Sequence, residues 1–350
     1  VYKRQIETLS LYRYFRERLE SEGISAIGQH FVAVTDPGSP LVAEATESGF
    51  RRILEAPPDV GGRYSALTVF GLLPMTLMGA DVDRVVESAA DLQRACTPAL
   101  PARANPAVRL GAALALYAGS GRDKLMLAAS EGLATFPLWI EQLVAESTGK
   151  RGRGIVPVTG EPIPKPEAFG ADRVLVHYAL AGDRDASAAA TLDALDEAGH
   201  PVFRFELAEA EALGGEFLRW EIATATAGAV LGVNPFDEPD VSSAKRATAE
   251  LLRFREESGA LPVEQPLASA GGLDLFLSDD DEVGRASVDD VVQEWVRDTG
   301  DSDYVAILGF FDSSRERDEA VAHLRDRLAA RTGLATTFGY GPRYLHSTGQ

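Results

Sequence analysis

Two hydrophobic periods alternate along the chain. Short runs rich in β-branched and aromatic residues read as strands at 30–36 (HFVAVTD), 51–56, 173–180 (RVLVHYAL), 201–207, 273–278 and 304–311 (YVAILGFF). Between several of them, apolar positions recur at helical spacing over 9–22, 40–49, 185–199 and 313–330. Strands alternating with helices predict a mainly parallel sheet covered on both faces, and the near-continuous apolar character of the strands agrees with burial on both sides. The middle differs. From residue 64 to 146 the pattern is helical with almost no strand signal. Residues 106–119 (PAVRLGAALALYAG) read as a buried helix opened by Pro106. Residues 151–170 are rich in Pro and Gly and predict a linker between two α/β units, divided as 1–165 and 166–350.

The length of 350 residues fits two domains, and an apolar content of 45% supplies a sizeable core. With 53 acidic against 34 basic residues the net charge is −19, a field that repels nucleic-acid phosphates and excludes nucleic acid as a partner. Small anionic substrates remain compatible, because a local pocket of cations outweighs the overall field. No apolar run approaches a membrane span, and no secretory leader opens the chain, so no membrane partner is expected. A single cysteine, Cys96, makes neither an internal disulfide nor a thiolate cluster, which fits a cytoplasmic setting.

Four segments carry candidate chemistry. In 59–65 (DVGGRYS), two glycines after a strand allow close backbone approach, and Arg63 behind them offers a fork of donors for an oxyanion or a phosphate. The same spacing suits a plain turn with a surface Arg. In 139–150 (WIEQLVAESTGK), Gln142 and Glu146 are four apart and share a helix face. A left-handed stop is expected at Gly149. A carboxylate at the negative end of a helix is disfavoured in its ionised form, which suits a base, although an exposed Gln/Glu pair has the same spacing. In 232–245, Pro235 and Pro239 are expected to end one helix, and Asp240 or Ser242 to cap another carrying Lys245. A solvated surface Lys fits equally. The tail 338–350 (FGYGPRYLHSTGQ) contains His346, available either for acid/base work or for packing. No Walker loop, zinc-protease helix, dinucleotide fingerprint or nucleophile elbow is present.

Taken in order, DVGGRYS, AESTGK (145–150) and FDEPDVSSAK (236–245) resemble the signatures of the glucose-6-phosphate isomerase family. WIEQL-AESTGK, NPFD-P-V and YGPR-LHSTGQ are most similar to the isomerase half of bifunctional transaldolase/phosphoglucose isomerases. The resemblance implies two sugar-isomerase α/β/α sandwich domains with mainly parallel sheets and a helical middle segment. It implies a hexose phosphate as substrate, isomerised through a cis-enediolate with Glu146 as base, Arg63 as electrostatic stabiliser and Lys245 assisting ring opening. Gln142 and Gly62 would bind substrate, no metal or organic cofactor would be needed, and the protein would be a homodimer. The family's phosphate loop belongs just before 6–8, where residues 1–5 (VYKRQ) stand, so the resemblance implies a chain truncated at both ends, with a preceding transaldolase domain left open. Its ring-opening His in a Gly-Gln-His context is matched here by 214–216 (GGE), leaving Glu216 or His346 for that role. A non-catalytic sugar-phosphate-binding module is the competing expectation.

Overall fold

The computed structural model describes residues 5–183, 186–237, 239–262, 265–276 and 287–346, with the side chains of 5–7, 186, 239–245 and 346 outside the description. The expected phosphate-loop position at 1–5 therefore lies almost wholly outside the described residues.

The first segment runs α1 (Gln5–Ser21), β1 (Val32–Thr35), α2 (Pro40–Glu47), β2 (Arg52–Glu55), α3 (Val69–Leu77), α4 (Val82–Ala95) and α5 (Pro106–Gly119). Next come β3 (Lys124–Ala129), α6 (Phe136–Thr148), β4 (Val156–Thr159), β5 (Arg173–Leu180), α7 (Ala186–Glu197), β6 (Val202–Leu207), α8 (Leu213–Leu231) and α9 (Pro239–Ser258). The chain closes with β7 (Ala268–Ala270), β8 (Leu273–Leu275), α10 (Val288–Arg297), β9 (Tyr304–Gly309), α11 (Arg315–Thr332) and β10 (Ala335–Tyr340). The α/β class and the mainly parallel pairing are as expected. β1 pairs with β2, β9 with β10, and β4-β3-β5-β6 form one four-stranded sheet, all parallel; β7 and β8 pair antiparallel.

The central strands β3 and β5 are buried on both faces, while the edge strand β6 exposes Arg204 and Glu206. Leu125, Leu127, Val174 and Val176 pack with Leu110 and Leu114 of α5, Ile140 and Leu143 of α6, and Trp220 and Ala223 of α8. Met126 and Leu175 point the other way, onto Leu192 and Leu195 of α7. Alternate strand residues thus feed two apolar layers, as the period of two requires. The α5–α8 crossing is close: a Cβ on Gly111 would stand 2.0 Å from the Ala223 carbonyl oxygen, so only glycine lets these backbones meet.

Three sequence expectations need correction. The helical middle contains β3, the centre of the main sheet. Its sequence KLMLAA is short, apolar on both faces and built of good helix formers, so periodicity cannot separate strand from helix there. The segment 151–170 is not purely a linker, because it contains β4. The expected division at 165/166 falls between β4 and β5, yet both lie in one sheet beside β3, where Lys124 pairs with Val156 and with Arg173. Pro and Gly mark a break in local periodicity, and a connection within a sheet breaks it as a domain boundary does. No helix among the described residues is long and apolar enough to cross a membrane.

Candidate functional site

Three stretches that are distant in sequence meet around one carboxylate. A short 3-10 turn, Gly62–Tyr64, follows β2 and turns Arg63 inward, where it is 7% exposed. Gly62 lies in this same turn, its carbonyl accepting from Ser65 Oγ at 2.6 Å. α6 supplies the second stretch. Its last turns are wholly buried, and Glu146 is 3% exposed. The third is the loop after α8, a helix stopped by Gly232 in the left-handed conformation (φ 74°) before the prolines are reached.

From the first stretch, Arg63 reaches the other two with its guanidinium. Nη1 donates to Glu146 Oε1 at 3.2 Å and Nε to Ser147 Oγ at 2.8 Å. Nη2 donates to the carbonyls of Pro235 (2.6 Å) and Asp237 (2.8 Å). Gln142, one turn before Glu146, donates from Nε2 to its other oxygen, Oε2, at 3.4 Å. Both carboxylate oxygens therefore face a donor, one of them cationic. Tyr64 completes the wall: its hydroxyl donates to Ser147 Oγ (3.2 Å) and its ring packs 5.2 Å from that of Phe236.

The end of α6 differs from expectation. Gly149 has φ −71° and ψ 82°, which is not left-handed. Glycine is required there by crowding instead: a Cβ would stand 2.9 Å from the Ala145 carbonyl oxygen. Thr148 closes the turn, donating to the Val144 carbonyl at 2.8 Å and accepting from Ile155 N at 3.0 Å.

The remaining sequence candidates fall elsewhere. Glu216 is buried at the start of α8, where it accepts from Tyr178 OH (2.7 Å) and from Arg219 Nε (2.8 Å); Trp220 Nε1 in turn donates to Tyr178 OH. Burial, reinforced by the Glu216 carboxylate, holds the Tyr178 hydroxyl well above its ordinary pKa, so it stays a donor. Among the described residues, the bonds of this cluster run to Tyr178, Arg219 and Trp220 rather than to Glu146. Lys245 lies within α9, a helix that begins at Pro239, so Asp240 and Ser242 stand inside the helix rather than ahead of it. The side chains of Lys245 and His346 are outside the described residues. Among the described residues no cluster of three His, Cys, Asp or Glu is placed to hold a metal ion.

A cleft of about 1500 Å³ lies apart from this pair, along β3, β4 and β5, and is lined in part by Ser130, Glu161, Asp183 and Arg325. Several of its polar groups are already engaged. Arg325 donates to the carbonyls of Thr159, Gly160 and Thr336, while Asp183 accepts from Gly132 N and Ser130 Oγ. The chemistry therefore points to the Arg63–Glu146 pair rather than to this cleft.

Sequence reasoning missed Ser147, Tyr64, Lys150 and Glu221. Lys150 Nζ binds the carbonyls of Asn234 and Asp237. Glu221, on α8, interacts electrostatically with Tyr64; its Oε1 is buried without a hydrogen-bond partner, and burial pushes its carboxyl up from 4.5 to about 8. The folded state thus binds a proton that the unfolded chain releases between pH 4.5 and about 8, so stability falls as pH rises through that window and levels off above it. Glu221→Gln is expected to flatten this dependence, matching wild type near pH 5 and exceeding it at pH 8.5 by roughly 2–4 kcal/mol. Urea unfolding at the two pH values measures it; parallel curves for both proteins would contradict it.

No family model matches the chain. By sequence it is 32% identical over 286 residues to a glucose-6-phosphate isomerase of Rubrobacter xylanophilus, covering 69% of this chain and 65% of that protein. It is 29% identical over 286 residues to the Enterococcus faecalis glucose-6-phosphate isomerase (69% and 62%). A probable glucose-6-phosphate isomerase of Halobacterium salinarum is 30% identical over 280 residues (71% and 65%). The chain spans less than two thirds of the length of these relatives. Among solved structures, a hypothetical protein from Thermus thermophilus aligns with a TM-score of 0.61 at 28% identity, over 71% of this chain and 69% of that one. A glucose-6-phosphate isomerase from Chlamydia trachomatis aligns with a TM-score of 0.58 at 19% identity (72% and 58%), a likeness of fold.

Proposed function

We propose that this relative of the glucose-6-phosphate isomerases is itself an aldose–ketose isomerase, interconverting glucose 6-phosphate and fructose 6-phosphate by proton transfer. The observation that carries the reading is the buried pair of Arg63 Nη1 and Glu146 Oε1 at 3.2 Å, both side chains no more than 5% exposed. The Glu146 carboxylate takes the proton from C2 of the open-chain sugar. The C–H electrons form the C1–C2 double bond, and the carbonyl oxygen becomes the enediolate oxygen. Arg63, a fixed cation in a dry site, stabilises that charge where it develops. The C2 hydroxyl gives up its proton as O1 gains one, and Glu146 returns its proton to C1 as the carbonyl re-forms at C2. Gln142 orients the carboxylate and Gly62 lets the backbone approach the sugar. Lys245 assists ring opening, with His346 and Glu216 as further candidates for that step. The proton path uses Glu146 and the charge uses Arg63, so the scheme calls on no cofactor. A cytoplasmic setting is supported by the lone cysteine, and a homodimer by the family likeness.

Isomerisation run in deuterium oxide tests this reading. Solvent deuterium is expected at C1 of fructose 6-phosphate and at C2 of recovered glucose 6-phosphate. Turnover with no solvent exchange, even on long incubation, would replace proton transfer by a hydride shift. Phosphosugar binding without any turnover would favour the non-catalytic binding module.

A further inference from the structure

Lys150, the last residue of AESTGK, is a buried lysine whose ammonium is fully used. Its three N–H donors meet three oxygens of one loop: the carbonyl of Asn234, the carbonyl of Asp237 at 2.8 Å, and Asp237 Oδ1 at 2.7 Å. Its backbone is fixed by a reciprocal pair with Arg153, 2.8 Å from Lys150 N to the Arg153 carbonyl and 3.1 Å in return. Arg153 Nη1 in turn donates to the Leu231 carbonyl at the end of α8, at 3.3 Å. The loop has its own brace, the Phe236 amide donating to Asn234 Oδ1 at 3.1 Å.

Arg63 reaches the same loop, with Nη2 on Pro235 and Asp237. Two buried cations therefore converge on residues 234–237, immediately before α9 begins. They divide the work unequally. Lys150 is spent entirely on the loop, whereas Arg63 gives it Nη2 and turns Nη1 toward Glu146. Without Lys150 the loop would keep Arg63 Nη2 and the longer bond from the Tyr64 hydroxyl to the Pro235 carbonyl, 3.4 Å, but lose its grip on Asn234 and on the Asp237 side chain, and any drift of its carbonyls would pull the guanidinium off its line to Glu146. A misplacement of about 1 Å at such a group costs on the order of 10²-fold in rate.

We infer that Lys150 is a positioning residue: by fixing the 234–237 loop it holds Arg63 in register with Glu146. This rests on the isomerase reading above and concerns a residue to which that reading gives no part.

The test uses the whole chain with Lys150→Met, Asp237→Asn and the double variant. Lys150→Met is expected to lower kcat by about tenfold or more with KM changed less than about threefold, the mark of lost transition-state alignment rather than lost binding. Asp237→Asn, whose carboxylate is half exposed and costs little to leave unpaired, should lower kcat about threefold, and the double variant should be no worse than Lys150→Met alone. Asp237→Asn keeps the test open if Lys150→Met does not fold. Wild-type kcat in Lys150→Met, or losses that multiply in the double variant, would overturn the inference. Amide hydrogen exchange separates this outcome from failure of the isomerase reading. Lys150→Met should speed exchange at 62–65 and 236–237 by about tenfold whether or not the protein turns over sugar, and unchanged exchange there would overturn the positioning role by itself.

Discussion

Glu146→Gln is expected to lower turnover by about 10²–10⁴-fold, the usual worth of a positioned general base. The substitution keeps the volume and shape of the side chain in a turn that has no room to spare, since α6 is buried from Ile140 to Thr148 apart from Gln142. What changes is the proton chemistry. The carboxylate accepts from Arg63 Nη1 on one oxygen and from Gln142 Nε2 on the other. An amide offers a single acceptor, so one of these donors must face an NH₂ group. Arg63 keeps Ser147, Pro235 and Asp237, which holds the stability cost to roughly 1–2 kcal/mol. A coupled assay, together with urea unfolding, reads both effects. Turnover near the wild-type level in a folded Glu146→Gln protein would remove Glu146 from the base role.

Arg63→Met carries the largest expected loss of stability, roughly 3–5 kcal/mol. Methionine approximates the aliphatic stem but leaves Glu146 as a buried charge without its cation. It also strips donors from the Ser147 hydroxyl and the Pro235 carbonyl. Each buried acceptor so abandoned costs about 1–3 kcal/mol, and the sum is not additive because the loop relaxes. Tyr64 still donates to Ser147 and Lys150 still holds Asp237, so a folded, weakened protein is the expected product rather than collapse. Arg63→Lys keeps the charge but cannot span four acceptors with one ammonium, and should lie between the two. Denaturant midpoints measure the series. A change below about 1 kcal/mol for Arg63→Met would mean that the buried pair does not brace the three segments.

Glu221 shows a different kind of legibility. Its neighbours in sequence, Trp220-Glu221-Ile222-Ala223-Thr224, give no sign that its oxygen lacks a partner. Thr224 Oγ1, one turn on, is also buried without one. Two orphaned acceptors on the helix that runs beside the site arise from how α8 lies against its neighbours, a fact with no counterpart in local composition.

What the sequence determined by itself was whatever depends on neighbours within a turn or a strand. Residues 106–119 read as a helix with Pro106 first and form one, because propensity, the Asn105 cap and an apolar surface agree. Strands 173–180 and 201–207 were visible because β-branched and aromatic runs have no helical alternative. Gln142 and Glu146 share a face because four residues make about one turn. The tertiary structure alone decided the rest. β3 is a strand because it is clasped between β4 and β5, against the helical leaning of its Lys, Leu, Met and Ala residues. Arg63 and Glu146, 83 residues apart, are partners only because the turn after β2, the end of α6 and the loop after α8 converge. Periodicity records which residues are buried; which buried charge meets which is fixed by strand order and helix crossing, and no local pattern encodes either.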